Sequence, residues 1–144
     1  MEQRAIPALP CLCASLRRAA RALTTLYEQP LRPLGLRATQ FTVLQALELA
    51  GEVSQGELGQ MLAMDSTSLT RTLEIMRRRS WIVKRPGRDQ RERRLSLSPA
   101  GREQLRRATP AWEKAQARQR QQLGNEPWTE LLKLATQVTN VASK

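Results

Sequence analysis

Between Asp65 and Gly101 the hydrophobic period switches once, from helix to strand, and the chain then doubles back on itself. No other stretch restricts the fold so tightly. Leu69, Leu73 and Met76 recur at i, i+4 and i+7, the spacing of one buried helix face over Asp65–Ser80. The opposite face carries Thr67, Ser68, Thr70, Arg71 and Glu74. Asp65 and Ser66 can each cap this helix. Trp81–Lys84 reads as a strand, Pro86-Gly87 opens a turn, and Arg93–Leu97 reads as the returning strand with Leu95 and Leu97 on one side. The turn itself, Pro86-Gly87-Arg88-Asp89-Gln90-Arg91, is laden with arginine. A helix with small, hydroxylated and basic outward residues suits a DNA groove. A hairpin tipped with arginine suits the phosphate backbone and the neighbouring minor groove. The pattern predicts a helix-turn-helix followed by a two-stranded β wing.

The flanking sequence is helical in period. Leu12, Leu16, Ala19, Leu23 and Leu26 predict a first helix from Cys11 to about Glu28, stopped by Pro30 and Pro33. Residues 1–10, with two prolines, predict a loose arm. A second helix is expected from Thr39 to Ala50, with Gly51 as its C-terminal stop. Ser54-Gln55-Gly56-Glu57 is a capping-box pattern that opens a short helix to Ala63. Ser98-Pro99 starts a long helix running to about Leu123, which Pro110 should bend. After Gly124-Asn125, a last helix is expected to bury Trp128, Leu131, Leu132, Ala135 and Val138. The expected class is mainly α, with no internal repeat and one small hairpin.

Length and charge narrow the function. The 144 residues suit one domain, yet the two terminal helical regions need a surface on which to bury their apolar faces. A second subunit would supply it. Formal net charge is +11, and Arg71–Arg94 alone holds 10 basic against 3 acidic side chains. Such clustering points to a polyanionic partner, whereas a generic solvated face would spread its charge. The chain has no histidine, which removes the commonest acid–base catalyst and metal ligand. It has no glycine-rich phosphate loop, and its carboxylates pair only on helical surfaces. These absences argue against an enzyme, and no cofactor or metal is expected. Two cysteines, Cys11 and Cys13, are too few for a structural zinc and fit a reducing compartment. With no run long and apolar enough for a membrane span, and Ile6–Leu16 too short and broken for a signal peptide, a soluble cytoplasmic protein with no membrane partner is expected.

The ordered motifs resemble the MarR family of bacterial transcription regulators. They are Gly35-Leu36 with Gln40-Phe41-x-Val43-Leu44, then Glu57-Leu58-Gly59-x-x-Leu62 and Ser66-Thr67-Ser68-Leu69-Thr70-Arg71, then Asp89-x-Arg91 and Leu95-Ser96-Leu97-Ser98-x-x-Gly101. The resemblance covers roughly residues 12–141. It implies a homodimer joined through terminal helices (11–30 and 99–142) around a winged core (36–98). It also implies a recognition helix in the major groove and a wing in the minor groove of a pseudo-palindromic operator. Many members repress, and release DNA when a small aromatic ligand or an oxidant acts on them. Two positions depart from the family pattern. Ser80 stands where glycine is frequent, so the helix end should be built differently, with Trp81 tightening it. Arg37 replaces a capping threonine, which leaves Thr39 as a later cap.

Residue roles follow. Arg71, at the recurrent recognition-helix arginine, is expected to contact a base edge or a phosphate; the plainer alternative is a surface pair with Glu74. Ser66, Thr67, Ser68 and Thr70 offer hydroxyls at a helix N-terminus that favours anions, though some are simply caps. Asp89 and Arg91 are the wing-tip pair that the resemblance implies. Asp89 is expected to orient an arginine by a bidentate pair, or to be an ordinary turn residue. Arg88, Arg93 and Arg94, with Lys84 and Arg85, read as phosphate neutralisers. Cys11, near a helix start, and Cys13 are candidate oxidant sensors, with burial in a dimer interface as the stronger expectation. Leu12, Leu16, Phe41, Leu44 and Trp112 could border an effector pocket but are better explained as core or interface. A basic architectural protein that binds DNA without sequence preference would share the charge. An RNA-binding protein is disfavoured by one Phe, one Tyr and three Trp, too few rings for base stacking.

Overall fold

The computed structural model describes residues 5–89 and 91–144; residues 1–4 of the arm and Gln90 in the wing turn lie outside that description. The elements run α1 (Leu12–Leu31), a single 3-10 turn (Arg32–Leu34), α2 (Ala38–Ala50), β1 (Val53–Ser54), α3 (Gln55–Leu62), α4 (Ser66–Arg78), β2 (Ile82–Pro86), β3 (Arg93–Leu97), α5 (Pro99–Leu123) and α6 (Asn125–Ala142). The wing is a three-stranded antiparallel sheet, not a two-stranded one, in the order β1-β3-β2. The added strand pairs Val53 with Leu95 and Ser54 with Arg94. At two residues it is too short to show a period of its own, and only its pairing with β3 reveals it.

Three helix boundaries differ from expectation, each for a visible reason. Pro30 does not stop α1 but lies in its last turn, where losing one hydrogen bond is tolerable. The chain then turns at Gly35, φ +73°, whose amide donates to the Arg32 carbonyl at 2.9 Å. Thr39 is not the cap of α2, which begins at Ala38. Its free amides are satisfied by side chains: Gln40 Oε1 accepts from the Arg37 amide at 3.1 Å, and Glu28 Oε1 of α1 accepts from Ala38 at 3.2 Å. The third difference is Ser80. It adopts the left-handed conformation that glycine would favour, φ +61°, so the helix end keeps the ordinary geometry instead of a different one. The Trp81 amide reaches the Met76 carbonyl at 3.0 Å and the Ser80 amide reaches Arg77 at 2.9 Å. This is a Schellman closure, with buried Met76 and Trp81 as its apolar pair.

That serine carries a cost. A left-handed L-residue is strained by roughly 1–2 kcal/mol, partly offset by the extra chain entropy glycine must lose. Ser80→Gly is therefore expected to stabilise the fold by about 1 kcal/mol and raise Tm by about 2–4 °C. A melting curve unchanged or lowered by the substitution would contradict this account.

The capping box expected at Ser54 forms, Asp65 rather than Ser66 caps α4, and the Ser98 cap of α5 forms. Ser54 Oγ accepts from the Glu57 amide at 3.1 Å while Glu57 Oε2 accepts from the Ser54 amide at 2.9 Å. Asp65 caps α4 by accepting from the Ser68 amide at 2.9 Å. Ser98 caps α5 by accepting from Gly101 at 3.0 Å. One continuous core joins α2 (Phe41, Val43, Leu44, Leu47) to Leu58 of α3, to Leu69, Leu73 and Met76 of α4, and to Leu95 and Leu97 of β3. From α5, Ala108 enters it, and Leu105 and Trp112 pack against it partly buried. The last helix departs from expectation: α6 buries no residue within the single chain. Leu131 and Leu132 are about half exposed and Val141 more so, because α6 packs on α5 and meets little else.

Candidate nucleic-acid interface

Helix α4 owes its orientation to its inner face. Leu69, Leu73 and Met76 are buried, which leaves Ser66, Thr67, Ser68, Thr70 and Arg71 exposed on the other side. Asp65, by engaging the Ser68 amide, holds its own carboxyl below the usual aspartate range and fixes where the helix starts. Thr70 is less free than its exposure suggests: its hydroxyl accepts from Gln55 Nε2 of α3 at 2.9 Å. Gln55 was not legible as a partner, since the contact spans the helix-turn-helix. Arg71 makes no ion pair among the described residues. Glu74, the partner considered for it, is held instead by Arg77 at 2.8 Å and Arg78 at 3.3 Å. Arg77 hydrogen bonding lowers the Glu74 carboxyl below its ordinary range. Two arginines in the last turn of α4 also oppose the partial negative charge of the helix end.

At the wing, Arg88, Asp89, Arg91 and Arg93 are exposed, as are Lys84 and Arg85 on β2. Asp89 makes no guanidinium pair among the described residues. Its Oδ1 accepts from the Arg91 amide at 3.3 Å and its carbonyl accepts from the Glu92 amide at 2.9 Å. The expected bidentate pair is thus replaced by a local turn bond, which positions Arg91 through its backbone. Arg94 stands apart from the other wing arginines. Only 28% of its side chain is exposed, and it meets Glu92 at 3.0 Å, Glu52 at 3.4 Å and Glu57 at 3.5 Å. The carboxylates around it were missed in the sequence because Glu52 and Glu57 lie far from Arg94 along the chain.

Cys11 and Cys13 are both exposed in the single chain. Cys11 precedes α1 with an extended backbone, φ −88° and ψ 121°, so the pair straddles the helix start. Of the apolar residues that could border an effector pocket, Phe41 and Trp112 line a cavity of about 280 Å³ between α1, α2 and α5, with Tyr27, Leu23 and Leu31. The two rings meet at 5.8 Å. Tyr27 donates its hydroxyl to Gln116 Oε1, and burial pushes its phenol upward in pKa. Leu44 is buried in the core, and Leu12 and Leu16 are exposed on α1. Among the described residues, no three His, Cys, Asp or Glu side chains converge to hold a metal, and no helix is long and apolar enough to cross a membrane.

Comparison with known proteins agrees with this arrangement. Residues 34–92 match the model of the MarR family, the segment from the end of the 3-10 turn to the residue before β3. The DNA-bound structure of the Mycobacterium tuberculosis transcriptional regulator MosR is similar over 92% of this chain and 96% of its own, at 34% identity and a TM-score of 0.84. Among curated proteins, the multiple antibiotic resistance protein MarR of Salmonella typhimurium is 38% identical over 72 residues, 49% of this chain and 50% of that protein. The HTH-type transcriptional regulator YwoH of Bacillus subtilis is 29% identical over 87 residues, 60% and 64% respectively. The chain thus spans between half and two thirds of the curated relatives it matches. Winged fold, motif order and near-full-length likeness to MosR converge on one assignment: the chain belongs to the MarR family of transcriptional regulators.

Proposed function

We propose that the protein is a homodimeric, cytoplasmic, sequence-specific DNA-binding repressor that leaves its operator when a small aromatic ligand or an oxidant acts on it. One observation carries the DNA-binding part. Helix α4 presents Ser66, Thr67 and Arg71 outward, Arg71 forming no ion pair among the described residues, and continues through one left-handed residue into a strongly basic wing. Ser66, Thr67, Ser68, Thr70 and Arg71 would meet bases and phosphates in the major groove. Arg91, held by Asp89, would enter the minor groove, and Arg88 and Arg93 would lie along the backbone.

The dimer reading rests on apolar side chains left at the surface of the terminal helices. These are Leu12, Leu16 and Leu23 on α1, and Leu131, Leu132, Leu134 and Val141 on α6. A two-fold dimer through residues 11–30 and 99–142 covers them and presents two winged cores, 36–98, to a pseudo-palindrome. The cavity beside Tyr27, Phe41 and Trp112 suits a single aromatic ring. Exposed Cys11 and Cys13 suit the oxidant branch. The relatives matched are regulators, in line with a protein that is not an enzyme.

Footprinting on the upstream region of its own gene tests this reading. A protected pseudo-palindrome is expected, with log affinity falling against log salt at a slope near −7 if about eight phosphates are neutralised. Equal protection of unrelated duplexes would favour the architectural alternative. Adding a benzoate-class acid, or dilute peroxide, to the complex tests release; indifference to both would remove the inducible part.

A further inference from the structure

Beside the basic wing lies a cluster of negative charge that DNA binding does not explain. Glu52 comes from the connection before β1, Glu57 from the first turn of α3, and Glu92 from the wing. All three converge on the guanidinium of Arg94 in β3. Carboxylates beside a phosphate backbone repel it, so this placement needs another reason. The geometry supplies one. Arg94 Nη1 lies 3.0 Å from Glu92 and 3.5 Å from Glu57, Nε faces Glu52, and Nη2 donates to the Glu52 carbonyl at 3.1 Å. Glu57 is also the capping-box residue of α3. The Ser54 amide and, more weakly, Arg94 hold its carboxyl below the usual glutamate range. Glu92 folds over Gly87, where a Cβ would come within 2.8 Å of its Oε2. Its carbonyl accepts from the Gly87 amide at 2.9 Å and its amide donates to Asp89. Glu92 therefore anchors the wing turn at one end, and Glu57 anchors the first helix of the helix-turn-helix at the other.

We propose that Arg94 is a positioning residue: its guanidinium, clasped by Glu92, Glu52 and Glu57, fixes the wing at a set angle to the helix-turn-helix and thereby places Arg91 for the minor groove. This rests on the DNA-binding reading and replaces a phosphate-neutralising role for Arg94. A lone exposed ion pair would not suffice, but a fork shared among three carboxylates from three segments forms a network. Lysine, a point charge, cannot span it.

The test turns on a reversal of sign. Glu52→Gln and Glu92→Gln each remove a negative charge, so simple electrostatics predicts tighter DNA binding. The strut predicts the opposite, a loss of about three- to tenfold measured by fluorescence anisotropy on an operator duplex. Arg94→Lys should show a similar loss and, combined with Glu92→Gln, little further loss. A phosphate contact would instead survive as lysine. Tighter binding by the glutamine variants, with Arg94→Lys behaving as the parent, overturns the proposal. Amide exchange in the DNA-free protein is an independent readout: the Gly87 and Glu92 amides should exchange faster in Arg94→Lys. Unchanged exchange there also overturns it. If the parent protein binds no duplex at all, the DNA-binding reading fails, while the exchange result still decides whether the strut exists.

Discussion

Gly101→Ala is expected to be among the most destabilising single-methyl additions this fold can receive. A Cβ at Gly101 would lie 2.0 Å from the Trp81 carbonyl oxygen and 3.3 Å from Leu97 Cδ2. Neither neighbour is free to retreat. The Trp81 carbonyl already accepts from the Ser98 amide at 3.0 Å. Ser98 Oγ accepts from Gly101 and donates to the Ser80 carbonyl. The end of α4, the start of β2 and the start of α5 thus meet at one backbone junction, and α5 can move away only by breaking its own cap. Overpacking of this kind costs roughly 3 kcal/mol or more, which lowers Tm by about 6–12 °C in a domain of this size. Gly56→Ala is the control. Its Cβ would meet only Ser54 Oγ, at 3.9 Å, and the substitution should gain up to about 1 kcal/mol of helix propensity. Similar melting of the two variants would refute the junction.

Arg71→Ala is expected to have the largest effect on recognition. Arg71 is exposed on α4 and forms no ion pair among the described residues, so its loss leaves no buried charge behind and the fold should be untouched. A bidentate guanidinium–guanine contact discriminates by about 1–3 kcal/mol. A symmetric dimer counts it twice, which makes the loss on the operator about thirtyfold or more. Scrambled duplex should be bound nearly as before, so the specificity ratio falls with the affinity. Arg91→Ala should behave differently. It should weaken binding on every sequence, cancel any advantage of A·T-rich flanks, and reduce the salt slope by about 2 per dimer. Anisotropy titrations on matched and scrambled duplexes at several salt concentrations separate the two. An Arg71→Ala protein that keeps its specificity ratio would show that another residue reads the bases.

Much of this molecule was readable along the chain because local physics governs it. Leu69, Leu73 and Met76 set the buried face of α4 by spacing alone, and the caps at Ser54, Asp65 and Ser98 need only residues within three positions. The Arg88–Arg91 turn shows its charge in any conformation. Other features escaped because their partners are distant. β1 exists only through pairing with β3. The start of α2 is held by Glu28 from another helix. Arg94 reads as one more wing cation until folding brings Glu52 and Glu57 to it. Ser80 was misjudged for a related reason. Its intrinsic preference opposes the left-handed state, but buried Met76 and Trp81 with two backbone bonds outweigh about 1–2 kcal/mol of local strain.

Sequence alone settled which long segments are helix or wing, that α4 begins at Asp65 or Ser66, and where positive charge gathers, since period, capping and composition act over a few residues. Tertiary structure alone decided which carboxylates clasp Arg94, that a methyl at Gly101 would strike the Trp81 carbonyl, and which apolar faces remain uncovered on α1 and α6. Each of those is a distance between atoms far apart in the chain, set by how the whole core packs.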